Sequence, residues 1–185
     1  SVENSRTIGD NRSLSISLTN MGNITACLGD LSKAMDYYAQ SLELKIKFDD
    51  KWGISTVLEN LGTMYFSFGD MDKAQEHYME SLAIREKIND AAGVALSHIN
   101  IGEAYHYTDK PGKAYNHYVK ALEIVTEIDE KWLLIIANYR ISEALLALGR
   151  IKEAHEHAGL ALKLAVETGS KSEEARSRQA LGNIH

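Results

Sequence analysis

The chain has 185 residues, 44% hydrophobic and 25% charged, which is the balance of a globular protein and enough for one domain or a modest repeat array. One proline and 13 glycines are too few for collagen, a proline-rich linker or a disordered tail. A formal net charge of −6 disfavours nonspecific binding to nucleic acid or an anionic membrane, and the single cysteine, Cys27, excludes a disulfide framework within the chain and a multi-cysteine zinc site.

Residues 1–10 are polar and lack the apolar centre of a signal peptide. From there on the sequence repeats every 40 residues without a gap. One column reads Gly22, Gly62, Gly102, Ser142, Gly182, and another Ala34, Ala74, Ala114, Ala154. Two more read Tyr38, Tyr78, Tyr118, Ala158 and Leu42, Leu82, Leu122, Leu162, and a fifth Gly29, Gly69, Asp109, Gly149. The units are 11–50, 51–90, 91–130 and 131–170, with partial units 1–10 and 171–185.

In the first full unit, Gly29-Asp30 punctuates two helices. Unit 51–90 shows the design most clearly. Trp52 to Phe68 places Val57, Leu58, Leu61, Met64, Tyr65 and Phe68 at the spacing of one helix face. Gly69 ends that helix, because glycine takes the left-handed conformation cheaply, and Asp70 caps the next. A second helix from Met71 to Ile88 turns Ala74, Tyr78, Leu82 and Ala83 inward, and Asn89-Asp90 form the following turn. In unit 91–130 the punctuation is Asp109-Lys110-Pro111, with Pro111 at the first helical position. Trp52 and Trp132 start first helices two units apart and are expected to pack between hairpins. The longest apolar run, Trp132 to Ala137, is far short of a membrane span.

The small columns predict close helix crossings. Glycine inside a helix costs roughly 1 kcal/mol relative to alanine, so its recurrence implies a contact that offsets it. The Tyr and Leu columns fill the space between hairpins. The expected fold is all-α: one array over 1–185, a right-handed superhelical solenoid of antiparallel helical hairpins with about 4.5 repeats.

Leu61-Gly62-x2-Tyr65, Ala74, Tyr78 and Ser81 keep the spacing of the tetratricopeptide repeat, and the chain resembles that family over essentially its whole length. The family repeat is about 34 residues. Here the helices are longer and the closing proline is absent, which is similar to the long repeats of spindle-orientation adaptors and of bacterial peptide-pheromone receptors, sensor kinases and nucleotide cyclases. Ser1-Val2-Glu3 matches Ser41-Leu42-Glu43, and the chain closes on Leu181-Gly182-Asn183 in first-helix register, so it is expected to start inside a second helix and to be an excerpt of a longer protein.

The resemblance implies a cytoplasmic protein-interaction module whose first helices line a concave face for a peptide or partner helix. A polar column there reads Asn20, Asn60, Asn100, then Arg140. In related arrays asparagine at this position pairs with ligand backbone, which carries to Asn20, Asn60 and Asn100. The alternative is that these asparagines bond to neighbouring repeats. The next column reads Asn23, Thr63, Glu103, Glu143, Asn183, and beside the ladder lie Thr19, Glu59, Ile99 and Tyr139. Glu59, Glu103 and Glu143 against Arg140 predict a mildly acidic groove suited to a ligand with Lys or Arg, or to a polar one; the alternative is a solvated acidic face. Phe66, His106, Tyr107 and Tyr139 are candidates to anchor apolar side chains.

Tyr37, His77, His117 and His157 share one column, a repeat feature and not a metal site. The sequence has no H-E-x-x-H, phosphate loop or nucleophile motif, so neither catalysis, metal nor cofactor is expected. The expected partner is a protein or peptide, not nucleic acid or membrane, with a homodimer through the end helix 172–185 as a further possibility. Two other functions stay open: a sensor segment of a larger kinase, cyclase or pheromone receptor, and a self-assembly scaffold.

Overall fold

The computed structural model describes the backbone of residues 2–184 and the side chains of 11–184. Among these residues there are nine α-helices and no strand: α1 (Val2–Cys27), α2 (Leu31–Lys47), α3 (Lys51–Ser67), α4 (Met71–Lys87), α5 (Ala91–Tyr107), α6 (Pro111–Glu127), α7 (Lys131–Ala147), α8 (Ile151–Thr168) and α9 (Lys171–Gly182). Helices α2 to α7 are each 17 residues long, separated by three-residue turns. A helix plus its turn therefore advances the chain by half of the sequence repeat. The fold is an all-α repeat solenoid, as the column pattern predicts.

The turns follow from local chemistry. Between first and second helices, Gly29, Gly69 and Gly149 take φ of 85°, 81° and 75°, where a side chain is unfavourable. Asp109 stands in the same turn at φ 54°. Returning to the next first helix, Asp49, Asn89 and Asp129 occupy the left-handed region at 51–56°, as short polar side chains tolerate. Asp30, Asp50, Asp70 and Asp90 then cap α2 to α5, each accepting from the N–H three residues on at 3.0–3.2 Å. Pro111 begins α6, where its missing N–H does no harm, and Lys110 makes no side-chain cap. One expectation fails. The backbone is helical without a break from Val2 to Cys27, so residues 2–10 continue into the first helix of unit 11–50 and no boundary falls near residue 10. Propagating a helix adds a hydrogen bond per residue, whereas a break leaves terminal groups unpaired.

The chain divides into two compact units, Ser1–Asn89 and Asp90–His185. In the first, hairpins α1–α2 and α3–α4 enclose a core of Ala34, Tyr38, Val57, Leu61 and Met64. Ser41 Oγ donates to the Ser15 carbonyl at 2.8 Å and Ser81 Oγ to the Ser55 carbonyl at 2.9 Å, so each hairpin carries a buried hydroxyl-to-carbonyl tie. The second unit holds hairpins α5–α6 and α7–α8 and the helix α9. One cluster gathers Ala95, Ile99, Ala121, Val125, Ile135, Tyr139 and Ala161 among others, and a second gathers Tyr118, Ile141, Leu145 and Ala154. Here Ala121 and Ala161 replace the buried serines of the first unit.

Ala34, Ala74, Ala114 and Ala154 are fully buried, as expected. The glycine column meets the tyrosine column: a β-carbon at Gly22, Gly62 or Gly102 would lie 2.5–2.6 Å from the ring of Tyr38, Tyr78 or Tyr118. The tryptophans, expected to pack between hairpins, are 63% and 47% exposed. Each is the second residue of its helix, on the solvent side of the first turn; Trp52 borders a cavity, and Trp132 lies near Glu173 of α9.

Candidate functional site

In the first unit the predicted columns lie side by side on α1 and α3. Asn20 is exposed and Asn60 half-buried. Asn23 Oδ1 is a shared acceptor: the Tyr38 hydroxyl donates to it at 2.8 Å and Asn60 Nδ2 at 3.3 Å. One donor of the Asn60 amide is thus turned to the preceding repeat. Tyr78 reaches Thr63 Oγ1 at 3.3 Å by the same geometry that joins Tyr38 to Asn23. Thr63 is exposed and Phe66 half-buried. Between α1 and α3 opens a cavity of about 250 Å³. Ile16, Thr19, Asn20 and Asn23 border it on one side, Trp52, Gly53 and Thr56 on the other, and Lys45 of α2 below. Glu59 does not add acid to this face, because it is buried in an ion pair with Arg85, itself buried.

In the second unit Asn100 is half-buried on α5. Arg140 sits between two carboxylates: Nη2 donates to Glu103 and Nη1 donates to Glu143 at 3.0 Å. Burial pulls its guanidinium pKa down, but Glu103 and Glu143 outweigh that and hold it above the ordinary value. The acidic wall read from the sequence is therefore largely neutralised within the protein. Glu103 stands where Asn23 and Thr63 receive a tyrosine hydroxyl; with its carboxylate on Arg140, the buried Tyr118 hydroxyl has no hydrogen-bond partner, and burial raises its pKa. Tyr139 is 3% exposed within the core cluster, its hydroxyl 3.5 Å from Arg176 Nη1, so it is a packing residue and not the open anchor expected. The column that holds Thr19 and Glu59 has turned apolar here, and the core takes the ring. Tyr107 is exposed, and His106 is half-buried with Nδ1 buried and unbonded.

Sequence reasoning missed several polar pairs. His98 Nδ1 lies 3.0 Å from His117 Nδ1, and His157 Nδ1 lies 2.8 Å from Asn138 Oδ1. A signal was available: the column Leu18, Leu58, His98, Asn138 changes from apolar to polar opposite the histidine column. Burial, the neighbouring His98 and Lys120 push His117 down to about 4, and burial and Lys120 also lower His98. In the first unit His77 stacks on Tyr65 at 5.2 Å. Among the described residues, no three His, Cys, Asp or Glu side chains are placed to hold a metal, and no helix is long and apolar enough to cross a membrane.

Residues 53–127 match the tetratricopeptide repeat family. No curated protein sequence matches the chain. Among solved structures, BtubC (BKLC) from P. vanneervenii is 18% identical with a TM-score of 0.80, over 99% of this chain and 80% of that one. A Rap protein complexed with Competence and Sporulation Factor is 15% identical with a TM-score of 0.82, over 96% of this chain and 52% of that one. A signal transduction ATPase with numerous domains and a tetratricopeptide repeat sensor, from Pyrococcus horikoshii, is 16% identical with a TM-score of 0.81, over 92% of this chain and 27% of that one. At such identities the likeness speaks for the fold. Residues 53–127 thus carry tetratricopeptide repeats, and hairpins of the same design stand on either side of that stretch.

Proposed function

We propose that this array is a protein-interaction module that holds an extended peptide or partner helix along its first helices and performs no chemistry on it. The observation that carries the reading is the cavity between α1 and α3, bordered by Asn20, Asn23, Thr56 and the exposed Trp52. Asparagine offers both donor and acceptor to a peptide backbone, and an exposed indole offers apolar area at low entropic cost. Asn60 and Asn100 extend the same column along α3 and α5, and Phe66, His106 and Tyr107 supply aromatic surface on those helices. The fold likeness to a Rap protein solved in complex with Competence and Sporulation Factor supports a binding role. A second reading, a regulatory sensor within a larger signalling protein, is favoured by the likeness to the Pyrococcus ATPase, of which the matched part is 27%.

The test is selection of displayed random peptides on the parent chain and on an Asn60→Ala/Asn100→Ala variant. Peptides enriched on the parent and lost on the variant support the reading. Enrichment indifferent to the variant overturns the asparagine ladder, and no enrichment on the parent overturns peptide binding.

A further inference from the structure

The cavity between α1 and α3 has a cation for a floor. Lys45 is 6% exposed, although burying an ammonium is costly unless a partner meets it. In the next hairpin the same column holds Arg85, which pairs with Glu59. At the position matching Glu59 the first hairpin has Thr19, whose hydroxyl lies 2.7 Å from Ser41 Oγ and 3.0 Å from the Ser15 carbonyl. Among the described side chains of α1, residues 11–27, there is no carboxylate to cross to Lys45. The ammonium reaches Asp50 Oδ2 at 3.4 Å, longer than a typical charge-assisted bond, while Asp50 Oδ1 is engaged by the Gly53 N–H at 3.0 Å as the cap of α3. An ammonium carries three donors, and this contact uses one. Gly53 leaves room for both charged groups: a β-carbon there would meet Asp50 Oδ2 first and would also lie 2.6 Å from Lys45 Nζ. Above it, Ile16 and Trp52 are more than half exposed and form an apolar rim, with the Asn20 and Asn23 amides beside them.

We propose that Lys45 makes this cavity an acid-selective anchor, which receives an aspartate or glutamate side chain of the bound peptide. The carboxylate supplies to Lys45 what Glu59 supplies to Arg85, and Ile16 and Trp52 cover the ligand's methylenes. The proposal rests on the first-helix reading above and reverses, for the first unit, the preference for basic ligands that the glutamates suggested.

The test uses two displayed random-peptide libraries, tethered through their C termini so that no free terminal carboxylate is presented. One contains Asp and Glu and the other has neither. They are panned on the parent, on Lys45→Met and on Thr19→Glu, which installs the carboxylate of the next hairpin opposite Lys45. On the parent the acid-containing library is expected to enrich about tenfold more than the acid-free one, and both variants are expected to erase the difference while melting as the parent does. Equal enrichment on the parent, or a preference for acid that survives in a variant with parental melting, overturns the anchor and leaves peptide binding standing. Failure of both libraries on the parent overturns the first-helix reading and the anchor with it.

Discussion

Gly62 lies against the ring of Tyr78, so closely that a β-carbon on the glycine would stand 2.6 Å from Tyr78 Cε1. The same fit joins Gly22 to Tyr38 and Gly102 to Tyr118. In the fourth hairpin both partners change together, to Ser142 and Ala158, and both remain buried. The glycine that is poor for an isolated helix is thus the condition for an aromatic ring between two helices.

Gly62→Ala is expected to destabilise the chain by about 1–3 kcal/mol, against the gain that helix propensity alone would give. In a Tyr78→Ala background, which imitates the Ser142–Ala158 hairpin, the same change should be close to neutral. Urea unfolding of the four variants measures the coupling, expected at about 1 kcal/mol or more. Additive effects would contradict the fit.

The buried pair Glu59–Arg85 makes a second prediction. Glu59→Gln leaves the Arg85 charge buried without its carboxylate and should cost about 3–5 kcal/mol. The following hairpin has Ile99 and Val125 at the matching positions, both in the core. The double change Glu59→Ile/Arg85→Val should therefore be neutral or stabilising, as replacement of a buried ion pair by packed apolar residues often is. Thermal melts of the single and double variants decide it; a double variant as unstable as the single would contradict the account.

The His98–His117 contact predicts a pH dependence. Their ring nitrogens are 3.0 Å apart, and a proton on both would set donor against donor. His117 titrates near 4 in the folded chain against 6.5 for the free side chain, chiefly through burial. The unfolded chain thus binds the proton that the folded chain refuses. This contribution to stability is whole above pH about 6.5 and declines as pH falls toward 4. His117→Asn, which can still bond His98, should flatten the fall in melting temperature between pH 7.5 and pH 5. Carboxylates affect both proteins alike, so the difference isolates the pair. Equal slopes would contradict it.

Much of the fold was legible because its determinants are local or periodic. Gly69 and Asp70 mark a turn by conformation and capping alone, and Pro111 marks a helix start. The small and aromatic columns announce a crossing because they recur. The site was less legible, since its polar residues are defined by what lies across the helix pair. Asn23 looked like a groove residue and is also the acceptor for Tyr38 and Asn60. Glu59 looked like an acidic wall and is the partner of Arg85. Tyr139 looked like an anchor, but at its depth in the second unit the core claims it. Lys45 passed unnoticed, because a lysine near a helix end reads as solvated until its burial is seen.

The central claim is that ligands lie along the first helices. It is tested most directly by titrating a selected peptide into ¹⁵N-labelled protein and following the side-chain amide resonances of Asn20, Asn60 and Asn100. The account predicts that these shift together and saturate with binding, while backbone signals of α4 and α6 stay in place. Asparagine amides that do not move while α4 or α6 signals shift would contradict it.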